Sequence, residues 1–279
     1  MILIPLIAAI GNVLGLISDK VVLSIRRVPL GIYQTILFIF LCFFTALLMP
    51  FLGRINFSLA LSATYLAIFG VMIATAIIWN IFYYRGIQNE EIYEFELIIT
   101  LTPLMTTFLA GLFLPEERNW RVIEASVVAS LALLLCHLRK RHFVFSNYSL
   151  GLIICVLLMS LEMIFQKLLL KVYSPVSLYF FRTLVIVIFF VIFYRPKIAK
   201  INLKSYGLII CSAAAGVVQM VLKFYSFEIF GVVYTTLFMI LAPILIYLSS
   251  VLIFKEKLSK RTILAAAVIL ACMVWASWK

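Results

Sequence analysis

Charged residues are scarce in this chain. Only 12% of its 279 residues are Asp, Glu, Lys or Arg, whereas 66% are hydrophobic, and the mean hydropathy is +1.20. A soluble domain of this size carries about 25% charged residues, so the composition argues against one. Apolar runs that can cross a hydrocarbon core of roughly 30 Å recur from end to end. The sequence therefore predicts an all-α polytopic membrane protein without a separate soluble domain.

Several residue patterns typical of enzymes and pumps are absent from the sequence. There is no Gly-rich phosphate loop of the Walker type, which argues against an ATP-driven pump. His137 and His142 flank a basic loop, and no cysteine pair has the CxxC spacing. The cysteines lie inside apolar runs and are expected to be buried small hydrophobes, at Cys42, Cys136, Cys155, Cys211 and Cys272. We expect no catalytic site, no metal site and no cofactor.

The net charge of +12 comes mainly from short loops between apolar runs. This placement favours control of membrane orientation over nucleic-acid binding, which we do not expect. The most basic loops are "SIRRV", "LRKRHF", "RPKIAKINLK" and "KEKLSKR", and all are predicted on one face of the membrane. The positive-inside rule then places that face in the cytoplasm and both chain termini outside.

Ten membrane spans are predicted. Residues 2–22 are interpreted as a retained span rather than a signal peptide, since no A-x-A-like cleavage site follows them. The other spans are 30–51, 58–84, 93–114, 120–137, 149–170, 175–194, 206–229, 231–253 and 261–278.

The two halves of the sequence resemble each other. A shift of 140 residues places Pro103 on Pro243 and Glu116 on Glu256, within turns that Asn119 and Ser259 can cap. "YQTILFIF" (33–40) resembles "FRTLVIVIF" (181–189), and "DKVV" (19–22) resembles "QKLL" (166–169). We therefore predict two five-helix repeats, residues 1–142 and 143–279. Because five is odd, the second repeat crosses the membrane in the opposite sense, as in many secondary transporters.

This pattern resembles the drug/metabolite transporter superfamily, and specifically its ten-helix EamA-type members. The resemblance rests on the paired Pro-to-Glu spacings and on the Ser174, Pro175 and Arg182 pattern that opens span 7. It implies a secondary active transporter in a bacterial inner (plasma) membrane, either monomeric or homodimeric, that exports amino acids or related metabolites. It also implies that both termini lie inside, against the charge distribution.

Polar residues at mid-membrane depth indicate where a solute would bind. Glu162 and Arg182 are predicted at similar depth on either side of one helical hairpin, and Lys223 lies near them with Gln219 one turn away. A charge costs at least about 2.5–3.5 kcal/mol at the centre of a span, so these charges need partners or a wet cavity. The alternatives are a purely structural Glu162–Arg182 pair and a Lys223 that snorkels toward the interface.

The first half is predicted to supply an aromatic wall. Trp79 and Tyr83 share one helix face, while the other corresponding positions, Gly15 and Gln34, are neutral. Two cations beside one carboxylate would leave a local excess of about one positive charge, which attracts a carboxylate or phosphate. The asymmetric cavity favours an amphipathic or zwitterionic organic solute.

Glu96, about two turns into span 4, is a candidate proton or cation site, so proton coupling is a further hypothesis. The alternative is a carboxylate favoured by the helix N-terminus. Three other hypotheses for the whole chain stay open at this point. They are import of a solute like S-adenosylmethionine or a nucleotide, a subunit of a flippase for lipid-linked sugars, and a membrane scaffold without transport activity.

Overall fold

The computed structural model of the chain describes residues 3–90, 92–137, 147–196, 202–245 and 260–277. Helices make up nearly all of these ranges, because a backbone in hydrocarbon must satisfy its own hydrogen bonds. They are α1 (Leu3–Lys20, continued as a π-helix by Val21–Ile25), α2 (Leu30–Leu52), α3 (Phe57–Ala60), α4 (Ala63–Asn89), α5 (Ile92–Ile99), α6 (Thr102–Phe113), α7 (Trp120–His137), α8 (Asn147–Leu169), α9 (Pro175–Tyr194), α10 (Leu203–Phe230), α11 (Val232–Met239) and α12 (Lys260–Ser277).

Side-chain caps mark where several of these helices begin. Ser62, Ser174 and Asn202 accept hydrogen bonds from backbone N–H groups in the first turns of α4, α9 and α10. Asn119 likewise accepts a bond from the N–H of Arg121 at the start of α7, as the sequence predicted. Ser259, its predicted counterpart, lies outside the described residues.

Within the described residues, six helices are long and apolar enough to cross a membrane: α1 with its π-helical extension, α2, α4, α8, α9 and α10. Large apolar side chains such as Phe43, Phe108 and Phe193 are exposed on the surface of the bundle. A bilayer solvates such side chains, whereas water does not. The chain is thus a multi-pass membrane protein, while the count of ten spans stays a prediction.

Predicted span 4 is not one continuous helix. It divides into α5 and α6 at a turn over residues 100 and 101, and α11 in predicted span 9 likewise ends at a turn at Ile240. The breaks precede Pro103 and Pro243. Proline lacks a backbone N–H, and in a continuous helix the two rings would collide with the carbonyls of Ile99 and Met239. Paired prolines therefore produce paired breaks, a feature that the hydropathy pattern did not predict.

Helix bounds recur at the predicted shift of 140 residues. α5 (Ile92–Ile99) corresponds to α11 (Val232–Met239), and α7 (Trp120–His137) corresponds to α12 (Lys260–Ser277). α4 and α10 begin at Ala63 and Leu203, which obey the same shift. This agreement supports the duplication. The proposed boundary near residue 142 lies outside the described residues, as does Glu256, and the inverted orientation stays a prediction.

A pair of lysines makes the same contact in both halves. Lys20, at the end of α1, donates to the carbonyl oxygen of Ile87 at 2.8 Å, and Lys167, near the end of α8, donates to the carbonyl oxygen of Phe227. Each lysine meets carbonyls near the C-terminus of a neighbouring helix, where a cation is favoured. The lysines of "DKVV" and "QKLL" thus make equivalent contacts, the first with α4 and the second with α10.

The long helices pack mainly against helices of the other half. α1 packs against α10 and α4 packs against α8, while α2 pairs with α9 and α7 with α12. At one end of the bundle, which we call the Gly231 end, the two halves are joined by backbone bonds from Asn56 to Val172 and from Ser174 to Arg54. At the opposite end, the Arg26 end, Arg26 donates to Ser205.

Candidate functional site

A cavity of about 140 Å³ lies at the centre of the bundle, between α1, α2, α4, α8, α9 and α10. Both halves of the chain line it. All six residues that the sequence predicted to bind solute are among its lining residues: Trp79, Tyr83, Glu162, Arg182, Gln219 and Lys223. The predicted residues come from four helices and lie in one cavity, while their role in binding stays a prediction.

Glu162 and Arg182 form the predicted contact. Arg182 Nε lies 2.6 Å from Glu162 Oε1, and each residue is only 2% exposed. The pair lies about two helical turns from the Gly231 end, because Glu162 precedes the end of α8 by as much as Arg182 follows the start of α9. The charges meet at depth, which removes the cost of burying either one alone.

Trp79 extends this ion pair into the first half. Its indole Nε1 donates to Glu162 Oε2, and its ring faces the Arg182 guanidinium at 5.8 Å. Tyr83 packs edge-on against Trp79, with 5.8 Å between ring centroids. The predicted aromatic wall is therefore present, and it is tied to the charged residues of the second half.

Lys223 is the cation of the cavity that lacks an ion-pair partner. It is 7% exposed, and its Nζ lies 5.3 Å from the centroid of the Phe227 ring. Among the described residues, no carboxylate lies within salt-bridge distance of it. Gln219, one turn away on α10, also lines the cavity.

Gln166 provides an unused acceptor in the same cavity. It is 1% exposed and lies one turn beyond Glu162 on α8. Its Oε1 has no hydrogen-bond partner among the described residues. Buried amide oxygens are nearly always paired, so a free one in a cavity suggests a missing donor.

Asp19 is a functional candidate that the sequence analysis passed over. It is 6% exposed, lines the cavity, and accepts hydrogen bonds from the hydroxyls of Tyr33 and Ser212. The expected neutral first-half wall is therefore wrong. With Asp19 and Glu162 facing Arg182 and Lys223, the formal charges of the described lining residues balance over the whole cavity, while the positive excess beside Glu162 stays a prediction. The signal was available, because "DKVV" aligns Asp19 with the cavity residue Gln166.

Two other sequence predictions have different outcomes. Gln34 does not line the cavity, because its amide donates to the carbonyl oxygen of Asn80 at 3.0 Å. Glu96 belongs to α5, but its side chain lies outside the described part of the chain. The part of the chain that is described contains no cluster of three His, Cys, Asp or Glu residues suited to a metal ion.

Glu117, the neighbour of Glu116 in the repeated turn, joins the two halves at the Gly231 end. Its buried carboxylate accepts the backbone N–H groups of Val232 at 2.9 Å and Val233 at 3.3 Å, at the first turn of α11. Lys167 Nζ lies 3.7 Å from the same carboxylate. Glu116 is exposed and lies 3.8 Å from Lys171. A helix N-terminus and a lysine together compensate for the burial of Glu117.

The family model described as "EamA-like transporter family" matches residues 147–278. This segment, just under half of the chain, is similar to the EamA-like transporter family. This family falls within the drug/metabolite transporter superfamily, as the resemblance implied. The match begins with α8 and includes Glu162, Gln166, Arg182 and Lys223 of the cavity.

A solved structure shares the EamA-like fold of this chain. It is described as "Crystal structure of protein", and it superposes with a TM-score of 0.69, covering 97% of each chain at 14% sequence identity. At this identity the likeness shows the fold alone. No curated protein matches the chain in sequence. The similarity to the EamA-like family thus indicates a membrane transporter of small solutes, and the cavity is the natural place to look for the solute.

Proposed function

We propose that this EamA-like protein is a secondary active transporter of a small zwitterionic organic solute, an amino acid or a close relative. The observation that carries the proposal is that one central cavity contains both a cation without an ion-pair partner, Lys223, and an acceptor without a hydrogen-bond donor, Gln166. A zwitterion supplies the anionic group that Lys223 lacks and the N–H donor that Gln166 lacks.

The charge of Lys223 favours an anionic group in the solute. An ammonium buried at this depth costs at least about 2.5–3.5 kcal/mol without a partner. A bound carboxylate offsets this cost and gains a charge-assisted hydrogen bond. The charge of Arg182 is already balanced by Glu162, so Lys223 is the better candidate for this role. We therefore interpret the Glu162–Arg182 pair as structural and assign recognition of the anion to Lys223.

The size of the cavity favours a solute of amino-acid scale. Its volume of about 140 Å³ is close to that of the ~150 Å³ engineered cavity that accepts benzene. An importer of nucleotide-like solutes would need a larger space than this conformation offers. A flippase for lipid-linked sugars would need a groove open to lipid, whereas this cavity lies among six helices. Trp79 and Tyr83 offer an apolar face to the uncharged part of the solute.

Alternating access fits the way the halves meet. The cavity lies between them, and the Gly231 end is closed by bonds that cross from one half to the other, including those of Glu117 to α11. Alternating access would break those bonds in one conformation and the Arg26–Ser205 bond at the opposite end in the other. The direction we propose, export, rests on the family resemblance.

We expect that replacing Lys223 with glutamine reduces transport about tenfold or more, because a hydrogen bond to a charged group contributes roughly 1.5–3 kcal/mol. The measurement is exchange of a radiolabelled mixture of the twenty protein amino acids in proteoliposomes, at matched protein density. Trp79→Ala should also reduce exchange, since it removes the aromatic wall and the donor to Glu162.

Lys171→Gln is the matched control for this experiment. It removes the same charge from an exposed residue outside the cavity, so its exchange rate should stay at that of the parent. If Lys223→Gln and Trp79→Ala exchange the labelled amino acids at the parent's rate and apparent affinity, the proposed site is wrong. If the parent protein exchanges none of them, the proposed solute class is wrong.

A further inference from the structure

Asp19 is a carboxylate of the cavity that neither the ion pair nor the proposed solute site uses. It lies on α1, with Tyr33 from α2 and Ser212 from α10 donating to the same oxygen, Oδ1. Among the described residues, no Lys, Arg or His lies within salt-bridge distance of it. The neighbouring Lys20 is turned toward the carbonyl oxygens of Ile87 and Glu90.

A carboxylate in this setting needs a positive partner. Burial in hydrocarbon without a counter-ion penalises the charged form, and two hydroxyl donors compensate only in part. The other titratable groups that face Asp19 are the phenols of Tyr33 on α2 and Tyr84 on α4. The helix packed most extensively against α1 is α10, which contributes only a serine at this point, so the described residues supply no cation to Asp19.

The distance between Asp19 and Lys223 separates this carboxylate from the solute site. Ser212, which binds Asp19, and Lys223 are both on α10, eleven residues or ~16 Å apart along the helix axis. Lys223 Nζ leans over Phe227, which lies still farther from Ser212. The ammonium and carboxylate of an amino acid are only a few ångströms apart, so one such solute cannot contact both residues.

Asp19 also lies where the two halves meet. Its hydroxyl donors come from both halves, Tyr33 from the first and Ser212 from the second, so relative movement of the halves changes its surroundings. A group whose hydrogen bonds change between two conformations binds a proton with different affinity in each one, which is the requirement for coupling.

We propose that Asp19 is the proton-binding site that couples solute movement to a proton gradient. A proton adds to the carboxylate when the cavity faces the acidic side and leaves, restoring the carboxylate, when it faces the other side. This inference rests on the proposed transport function, and it moves the coupling role from Glu96 to α1.

The direct test uses the proton as its probe. Infrared spectra of the full chain in nanodiscs, recorded over a pH titration, should show a protonated-carboxyl C=O band that appears as pH falls. Because the other Asp and Glu side chains also titrate, we expect one component of this band to be missing from Asp19→Asn and to return in Asp19→Glu, whereas Glu116→Gln, at an exposed carboxylate, should retain that component. A titrating band of full amplitude in folded Asp19→Asn would overturn the proposal.

The functional test separates coupling from solute recognition. With the labelled amino acids in proteoliposomes, Asp19→Asn should retain exchange at zero gradient. Its accumulation of amino acids under an imposed pH gradient should fall about tenfold or more, which corresponds to roughly 1.4 kcal/mol. Lys223→Gln should lose both activities.

Each other outcome counts against the proposal in a distinct way. Gradient-driven accumulation at the parent's level in Asp19→Asn overturns the coupling role. Loss of exchange together with accumulation, in a variant whose thermal unfolding matches that of the parent, would make Asp19 part of the solute site. A parent that exchanges amino acids without responding to a pH gradient would refute proton coupling and leave the proposed transport function intact.

Discussion

Replacing Glu162 with glutamine is expected to lower the free energy of unfolding by about 3–5 kcal/mol, the usual cost of removing one member of a buried ion pair. The physical reason is that Arg182, only 2% exposed, would keep its charge without a carboxylate. Trp79 would also lose a charged acceptor for its indole N–H. The measurement is unfolding of the purified protein in nanodiscs, followed by tryptophan fluorescence.

A double-mutant cycle identifies the pair as the cause. Glu162→Gln combined with Arg182→Gln should lose less than the sum of the two single losses, with a coupling of about 0.5–3 kcal/mol. Glu116→Gln serves as the control, because its contact with Lys171 is exposed and such pairs contribute only about 0–1 kcal/mol. Strictly additive losses at Glu162 and Arg182 would argue against a coupled pair.

Replacing Gly231 with alanine is expected to destabilise the protein by about 2–4 kcal/mol, because the change combines backbone strain with the loss of buried caps. Gly231 has a φ of +88°, a conformation that side chains strongly disfavour. A Cβ atom there would overlap the carboxylate of Glu117 and push it away from the N–H groups of Val232 and Val233.

Gly207→Ala, inside α10, the helix that ends just before Gly231, is the matched control. No atom lies within 4 Å of the Cβ position at Gly207, so alanine fits there without displacement. In a helix interior alanine should be neutral or more stable than glycine by about 0.5–1 kcal/mol. Thermal unfolding of both variants compares the two sites directly, and equal stabilities would mean that Glu117 does not need the open space at Gly231.

Local sequence determined the positions of most helices. Helix positions depend on local features that act within one or two turns, so neighbouring residues predict them directly. These features are the paired prolines, the capping residues Ser174 and Asn119, and the length of the apolar runs. The duplication was also visible in the sequence, because a shift of 140 residues aligns both apolar pattern and turns. The breaks near Pro103 and Pro243 were missed because hydropathy stays high across them.

The six predicted solute-binding residues line one cavity, because helix rise alone sets the depth of a residue in a membrane. Depth does not determine which helices face each other, however. Only the packing of α1 against α10 placed Asp19 beside Ser212, and only the meeting of α4 with α8 placed Trp79 on Glu162. These contacts join residues far apart in the chain, and they depend on side-chain fit between helices that are all apolar.

The sequence by itself therefore determined the membrane class and the family resemblance, and it predicted the repeated halves and the depth of Glu162, Arg182 and Lys223. Tertiary structure alone decided which charges are paired. Arg182 contacts Glu162 and Trp79, and Lys223 has no ion-pair partner among the described residues. Asp19 binds Ser212, which lies about three turns along α10 from Lys223. The physical reason is that charge pairing needs contact within a few ångströms, and between helices such contact is set by packing rather than by composition or periodicity.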